Sequence, residues 1–164
     1  MINIKTRLGL RVTVVAAVIG VVAFTAASGQ TRNRSTHHAG AGVELTFTKW
    51  IAPGFPNMVG VVGGDIVGQF GGAVLRAMPD ATGRFVRLRA IYIVVAADPL
   101  RSLTIHLDGA QDTLLGTAVL DGRVVDGSLV GARVHVEYKV ISCTQSPDGT
   151  CFQGTISIKR RSGD

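Results

Sequence analysis

The chain has few of the residues from which redox and metal sites are built. Only two of its 164 residues are cysteine and four are histidine. The glycine-dense stretch Met58–Ala77 matches neither the dinucleotide nor the P-loop fingerprint. Basic residues are scattered except for the cluster Lys159-Arg160-Arg161, which is typical of a solvated tail, so the charge pattern does not predict nucleic-acid binding. Beyond residue 27, no stretch has the 3.6-residue apolar period of a helix, which leaves an all-β domain.

The N-terminal apolar run is shorter than a typical membrane span. Three basic residues precede an uncharged run of 16 residues, Val12–Ala27, whereas a helix needs about 20 residues to cross a bilayer. This layout is typical of a secretory signal peptide that is cleaved after Ala27. We therefore predict a secreted or periplasmic protein, attached to a membrane only if the signal segment stays uncleaved.

Composition divides the rest of the chain into three parts. Residues 28–42 are small and polar without periodicity, which is typical of a flexible linker. Residues 43–160 carry the strand-like alternation and form the predicted domain, which is large enough for one hydrophobic core. Residues 161–164 are predicted to be a tail.

The two cysteines are predicted to form a structural disulfide. Cys143 and Cys151 flank the turn sequence Pro147-Asp148-Gly149, which places the two thiols across a hairpin. An exported protein meets conditions in which such a pair oxidises. The alternative, a redox-active pair, lacks both the Cys-x-x-Cys spacing and a helix that would lower a thiol pKa.

Short alternating segments separated by turn residues predict about eight strands. Asp-Gly pairs supply the positive φ of tight hairpin turns, so we predict turns at Asp121-Gly122, at Asp126-Gly127 and, in one interpretation, at Asp108-Gly109. Frequent hairpins and dense glycine favour a closed antiparallel up-and-down barrel of about eight strands, because closure removes exposed edges. The alternative is a β-sandwich. The predicted strands are Val43–Ile51, two within Met58–Ala77, Phe85–Ala97, Ser102–Leu107, three within Thr113–Val140 and Cys151–Lys159.

The glycine and strand pattern from Val59 to Glu137 resembles that of the allene oxide cyclase and dirigent barrel superfamily. The resemblance is carried by residues 64–75, the strand at Ala90-Ile91-Tyr92, and residues 116–122 and 127–132. It implies a small eight-stranded barrel with an apolar cavity, in a family whose members are usually oligomeric. It places no catalytic residue on this chain.

Three residues are candidates for acid–base chemistry. His106 and Asp108 lie two apart on a strand, so they share a face and could form an oriented imidazole–carboxylate pair. The alternative is that Asp108 begins a turn and His106 faces solvent. Glu44 becomes a candidate if it points into the barrel, where burial would raise the pKa of its carboxyl group.

We predict neither a metal nor a cofactor. His37 and His38 are adjacent and point opposite ways on an extended chain, and His106 and His135 are distant in sequence. Two functions then remain. One is an exported barrel that binds a small apolar ligand or associates with itself through the apolar strand Ile91–Val95; the alternative is an isomerase-like, cyclase-like or dirigent-like enzyme that acts on an apolar substrate in the cavity.

Overall fold

Eight antiparallel strands account for most of the domain. The structure, a computed structural model, describes residues 42–54 and 57–160. The predicted signal peptide and tail, and all of the predicted linker except Gly42, lie outside these residues. A single 3₁₀ turn, Pro99–Arg101, follows the fourth strand. The strands are β1 Val43–Ile51, β2 Asn57–Gly64, β3 Gly68–Pro79, β4 Phe85–Ala96, β5 Leu103–Asp112, β6 Thr117–Gly127, β7 Arg133–Ser142 and β8 Thr150–Lys159.

The sheet closes on itself, which confirms the barrel and excludes the sandwich. Each strand pairs with the next along the chain, and β1 pairs with β8 to complete an up-and-down barrel. In the closing pair Leu45 lies opposite Ile156 and Phe47 lies opposite Gly154. Closure provides every strand with two neighbours, so none of the eight is an edge.

Two of the predicted turns are wrong. β6 runs straight through Asp121-Gly122, and β5 runs through Asp108-Gly109. The reason is close strand contact: a Cβ at Gly122 would collide with the carbonyl oxygen of His106 on β5. Glycine within a strand can therefore mark a close backbone approach rather than a chain reversal. Asp126-Gly127 does end β6, where Gly127 has a φ of +93°.

The two ends of the barrel differ in how they are filled. Ile66, from the β2–β3 turn, and Ala132, from the β6–β7 turn, are both buried and cover one end. Below them Ile105, Val136 and Ile156 have no measurable exposure. The opposite end, where β1 ends and β2 begins, contains an internal cavity, and we call it the open end.

Large inward side chains near the open end lie opposite inward glycines. Phe47 and Tyr138 both pair with Gly154, and Tyr92 pairs with Gly72. A Cβ added at Gly154 would lie 2.7 Å from the Tyr138 Cβ. Alternating small and large residues is how a small barrel accommodates bulk.

Cys143 and Cys151 are within disulfide-bonding distance across the β7–β8 hairpin, as the sequence predicts. Their Cα atoms are 5.7 Å apart, and the Cys143 amide donates to the Gly149 carbonyl at 2.9 Å. Cys151 is fully buried. A bonded pair of this kind fits an oxidising compartment. Within the part of the chain that the structure describes, no helix has the length and apolar character needed to cross a membrane.

Candidate functional site

A lysine lies inside the barrel. β1 alternates its side chains between the two faces of the sheet, and this period places Lys49 on the inward face with Leu45 and Phe47. The Lys49 side chain is only 2% exposed. Its neighbours in register are Gly60 on β2 and Phe152 on β8. Lysine is almost never fully buried unless it is paired, so this position requires an explanation.

Five aromatic rings surround the Lys49 amine. The distance from Nζ to the ring centroid is 4.0 Å for Tyr92, 4.7 Å for Tyr138 and between 5.5 and 5.7 Å for the three phenylalanines. The rings also contact one another, since the Phe70 and Tyr92 centroids are 4.8 Å apart in an edge-on arrangement. The amine therefore lies in a buried aromatic cage. The phenylalanines are Phe47, Phe70 and Phe152.

Burial favours the neutral forms of both partners in this cage. Lys49 Nζ is hydrogen-bonded to the Tyr92 hydroxyl group. Loss of hydration lowers the pKa of the Lys49 amine well below its ordinary value, and burial, with a smaller contribution from Tyr138, raises the pKa of Tyr92 well above its own. Ring faces attract an ammonium ion, but the described residues that line the cavity include no carboxylate to balance a charge. Burial therefore favours a neutral Lys49 amine that is hydrogen-bonded to the protonated Tyr92 hydroxyl group.

The amine borders a cavity of about 250 Å³ at the open end. Most of the cavity wall is aliphatic or aromatic. Besides Lys49 and its partner Tyr92, the polar groups of the wall are Tyr138 and Gln111, and the Tyr138 hydroxyl donates to Gln111 Oε1 at 3.2 Å. Burial raises the pKa of Tyr138 to about 12, so its hydroxyl group stays protonated. The other wall residues are Ile51, Met58, Val74, Ala77, Val86, Leu88, Ala90, Leu120 and Phe152.

Hydrogen bonds between neighbouring turns hold part of the cavity rim. Arg84, in the β3–β4 turn, donates to Asp112 at the end of β5, with an Nη2–Oδ2 distance of 2.9 Å. The Thr113 hydroxyl donates to the Arg84 carbonyl at 2.9 Å. The Arg84 contact keeps the pKa of Asp112 below its usual value. These contacts join the β3–β4 turn to the end of β5, close in sequence to the cavity residues Val86 and Gln111.

The three acid–base candidates lie on the outer face of the barrel. Glu44 is exposed and accepts a hydrogen bond from the Ser157 hydroxyl at 2.8 Å, so the condition that it points inward is not met. Asp108 pairs with Arg89 at 2.8 Å, and both side chains are more than half exposed. His106 is exposed on the same outer face. None of the three borders the cavity that contains Lys49.

His135 forms ion pairs with acidic residues on β6 and on its own strand, β7. Its Nδ1 lies 2.8 Å from Asp121 on β6, and its Nε2 lies 3.1 Å from Glu137. Hydrogen bonds to Asp121 and then to Glu137 raise the pKa of the His135 ring. The group is solvated on the outer face, so it stabilises the sheet only weakly.

The inward position of Lys49 could have been predicted from the sequence. The apolar positions Val43, Leu45 and Phe47 recur every second residue, and the next position in that series is Lys49. A single charged residue in an otherwise apolar face is the informative exception to burial rules. Tyr138 is likewise on the buried face of β7, where buried and exposed residues alternate, but its partners across the barrel depend on strand register.

The outer surface has two further features. A wide depression of about 820 Å³ crosses β1, β2, β6, β7 and β8 and has several threonines in its lining. It is open to solvent, so we prefer the buried interior cavity as the site. An uncharged band crosses β1 to β4, in which Trp50, Val59, Gly71 and Ile93 lie side by side.

Comparisons of the chain with protein-family models, with curated proteins and with solved structures find no significant match. The described residues include no group of three or more histidine, cysteine, aspartate or glutamate side chains arranged to hold a metal ion.

Proposed function

We propose that this protein binds a small apolar ligand inside the barrel. The observation that carries the proposal is the cavity of about 250 Å³, whose apolar wall is interrupted at Lys49, Tyr138 and Gln111. A concave apolar pocket with a few convergent polar groups is the usual form of a small-molecule site. The resemblance to apolar-cavity barrels points to the same class of ligand.

The volume of the cavity limits the size of the ligand. Pockets for drug-sized molecules measure about 300–1,000 Å³, and this cavity is slightly smaller at about 250 Å³. The expected occupant is therefore a compact hydrocarbon skeleton, one or two rings in size. One polar atom on that skeleton would contact Lys49 or Tyr138, because a buried polar group without a partner is destabilising.

Two adjacent positions on β3 provide a matched test. Ala77 lines the cavity, whereas Met78 borders an outer groove, and both residues are exposed. Native mass spectrometry of the protein purified from its host should detect a co-purifying small molecule in wild type and in Met78→Trp. Ala77→Trp should lose it, because the indole ring fills the opening. Equal retention by both variants, or no uptake of an apolar probe such as 2-naphthol by wild type, would contradict the proposal.

An isomerase-like or cyclase-like enzyme is the second candidate. The observation in its favour is that Lys49, Tyr92 and Tyr138 are clustered at one depth of the cavity. A neutral amine beside a phenol can remove a proton from an apolar substrate and return it elsewhere. Such a reaction in D₂O would incorporate deuterium into the recovered compound. Binding without incorporation of deuterium would support the binding function and exclude the enzymatic one.

We also propose that the protein is exported. The supporting observations are the signal-like segment predicted over residues 1–27 and the paired cysteines, Cys143 and Cys151, which suit an oxidising compartment. N-terminal sequencing of protein recovered from the periplasm or medium should begin at Ser28. A full-length chain recovered only from the membrane fraction would instead indicate an uncleaved anchor.

Self-association through the uncharged outer band is a related proposal. Val61 and Val95 extend the band and are 49% and 55% exposed, whereas the outer face of a solvated sheet is normally polar. Light scattering should find more than one chain per particle in wild type and a single chain in Val61→Glu. Val119→Glu, at an outer position on β6, should behave as wild type. A monomeric wild type would exclude this proposal.

A further inference from the structure

We propose that the ligand is a small apolar aldehyde or ketone and that the Lys49 amine holds it as a Schiff base. This inference rests on the proposed binding function and adds the chemical class of the ligand. Three observations carry it: Lys49 borders the cavity, its side chain is 2% exposed, and its hydrogen-bond partner is the Tyr92 hydroxyl group.

Only a neutral amine has the lone pair that attacks a carbonyl carbon. An ordinary exposed lysine has a pKa near 10.4, so fewer than about one in a thousand are neutral at pH 7. The aromatic cage lowers that barrier at Lys49, because burial lowers the pKa of its amine. Desolvated lysines in apolar pockets are activated nucleophiles for the same reason.

A carboxylate ligand is the main rival, because it could pair with a protonated Lys49. That mode requires two ions to lose their hydration in a cavity whose described polar groups, Tyr92, Tyr138 and Gln111, are uncharged. Desolvation of an ion pair often outweighs the attraction it gains. Schiff-base formation instead joins two neutral molecules and leaves a neutral product, so the wall of the cavity suits it better.

The reaction balances without any further reactant. The Lys49 Nζ lone pair forms a bond to the carbonyl carbon, and the carbonyl oxygen takes a proton from the Tyr92 hydroxyl group. The nitrogen then returns a proton to Tyr92, which leaves a carbinolamine. Loss of the carbinolamine hydroxyl group and the remaining N–H proton as water gives the C=N bond. Tyr92 thus carries the proton in both directions.

Reductive trapping tests the proposal directly. Cinnamaldehyde and cinnamyl alcohol have nearly the same shape, but only the aldehyde forms an imine, which cyanoborohydride reduces to a stable amine. The chain has four lysines, at positions 5, 49, 139 and 159, so peptide mapping by mass spectrometry locates the adduct. At pH 7 we expect Lys49 to be labelled at least about tenfold more than an exposed lysine, given the small neutral fraction of exposed amines.

Variants separate specific capture from general amine chemistry. Ala77→Trp should abolish labelling of Lys49 without changing the amine, and Met78→Trp should leave it intact. Tyr92→Phe should slow labelling while the alcohol still binds, because the proton carrier is lost but the cavity remains. Circular dichroism would establish that each variant is folded.

Each outcome separates this inference from the binding function on which it rests. Binding of both probes without a trapped adduct at Lys49, or equal labelling of Lys49 and Lys139, would overturn the Schiff base and leave the binding function standing. Binding of neither probe would count against both. Tight binding of cinnamic acid with no capture of the aldehyde would assign the carboxylate mode instead.

Discussion

At the scale of single residues, Lys49 is the most unusual side chain of the barrel. Among the residues that the structure describes, only Lys49 and Ser146 are buried polar or charged residues. The Lys49 amine makes a hydrogen bond to the Tyr92 hydroxyl group, and the remainder of the amine faces the rings of the aromatic cage. Because burial opposes the charged amine, folding lowers the pKa of Lys49 and favours release of a proton that the unfolded chain holds.

Replacement of Lys49 by methionine should therefore stabilise the protein at neutral pH. The lowered pKa of Lys49 means that the unfolded state binds more protons than the folded state, from the folded pKa up to the ordinary value near 10.5. Wild-type stability should rise with pH across this window by up to about 1.4 kcal/mol per pH unit. Lys49→Met lacks this rise, so its advantage should shrink as the pH increases.

Urea unfolding between pH 6 and pH 9.5 checks this expectation, with Lys139→Met as the control for the loss of a lysine at the surface. Staying below pH 10 limits the titration of tyrosine. If the free energies of unfolding of wild type and Lys49→Met run parallel with pH, the lysine carries the same charge in both states, and the neutral-amine assignment fails.

At the scale of strands and turns, glycines set the geometry around the site. Gly154 on β8 faces inward between Phe47 and Tyr138, and its missing side chain leaves room for both rings. Gly71 on β3 faces outward, where an added Cβ would approach no atom of another residue closer than 3.9 Å. The two positions are both glycine within a strand, yet only the first is required by packing.

Gly154→Ala should therefore destabilise the barrel by about 1–3 kcal/mol, the usual cost of overpacking a core. Its Cβ would lie 2.7 Å from the Tyr138 Cβ, which displaces Tyr138 from the cage around Lys49. Gly71→Ala should stay within about 0.5 kcal/mol of wild type, as substitutions at unconstrained surface sites do. Thermal or urea unfolding measures both; equal losses would show that the inward glycine does not set the packing.

The β7–β8 hairpin provides a second prediction at this scale. Cys143 and Cys151 are separated by eight positions, and closing so short a loop stabilises the fold by about 2–3 kcal/mol on the chain-entropy model. Cys143→Ser with Cys151→Ser should lower the free energy of unfolding by that amount, and a reductant should then have no further effect. A reductant that leaves wild-type stability unchanged would show that the bond is absent.

The alternation of residues predicted several strands well, but some glycines within strands were wrongly interpreted as turns. The bounds predicted for β1, β4 and β8 agree with the structure within one residue, because alternation on a half-buried sheet is strong and local. The turn predicted at Asp121-Gly122 failed, since the contact between Gly122 and His106 joins distant parts of the chain. Lys49 was within reach of the same alternation argument, but the cage around it depends on register across five strands.

At the scale of the whole molecule, closure creates a filled end and a hollow end. Among the described residues, Ile66 and Ala132 cover the filled end, and the cavity lies at the opposite end, where β1 ends and β2 begins. The hairpins in the sequence predict a closed barrel. Whether that barrel contains a cavity depends on how the volume it encloses compares with the volume of its inward side chains. The enclosed volume follows from the stagger of the strands, which the alternation of residues does not determine.

A crystal structure of the protein under xenon pressure tests the central claim, that the barrel is hollow beside Lys49. Xenon occupies apolar cavities and leaves solvated surface grooves empty. The expected result is a xenon atom at the open end, in contact with Leu88, Leu120 and Phe152, with the Lys49 amine beside it. A barrel whose side chains close over this space, with no xenon bound, would contradict the cavity and with it the binding function.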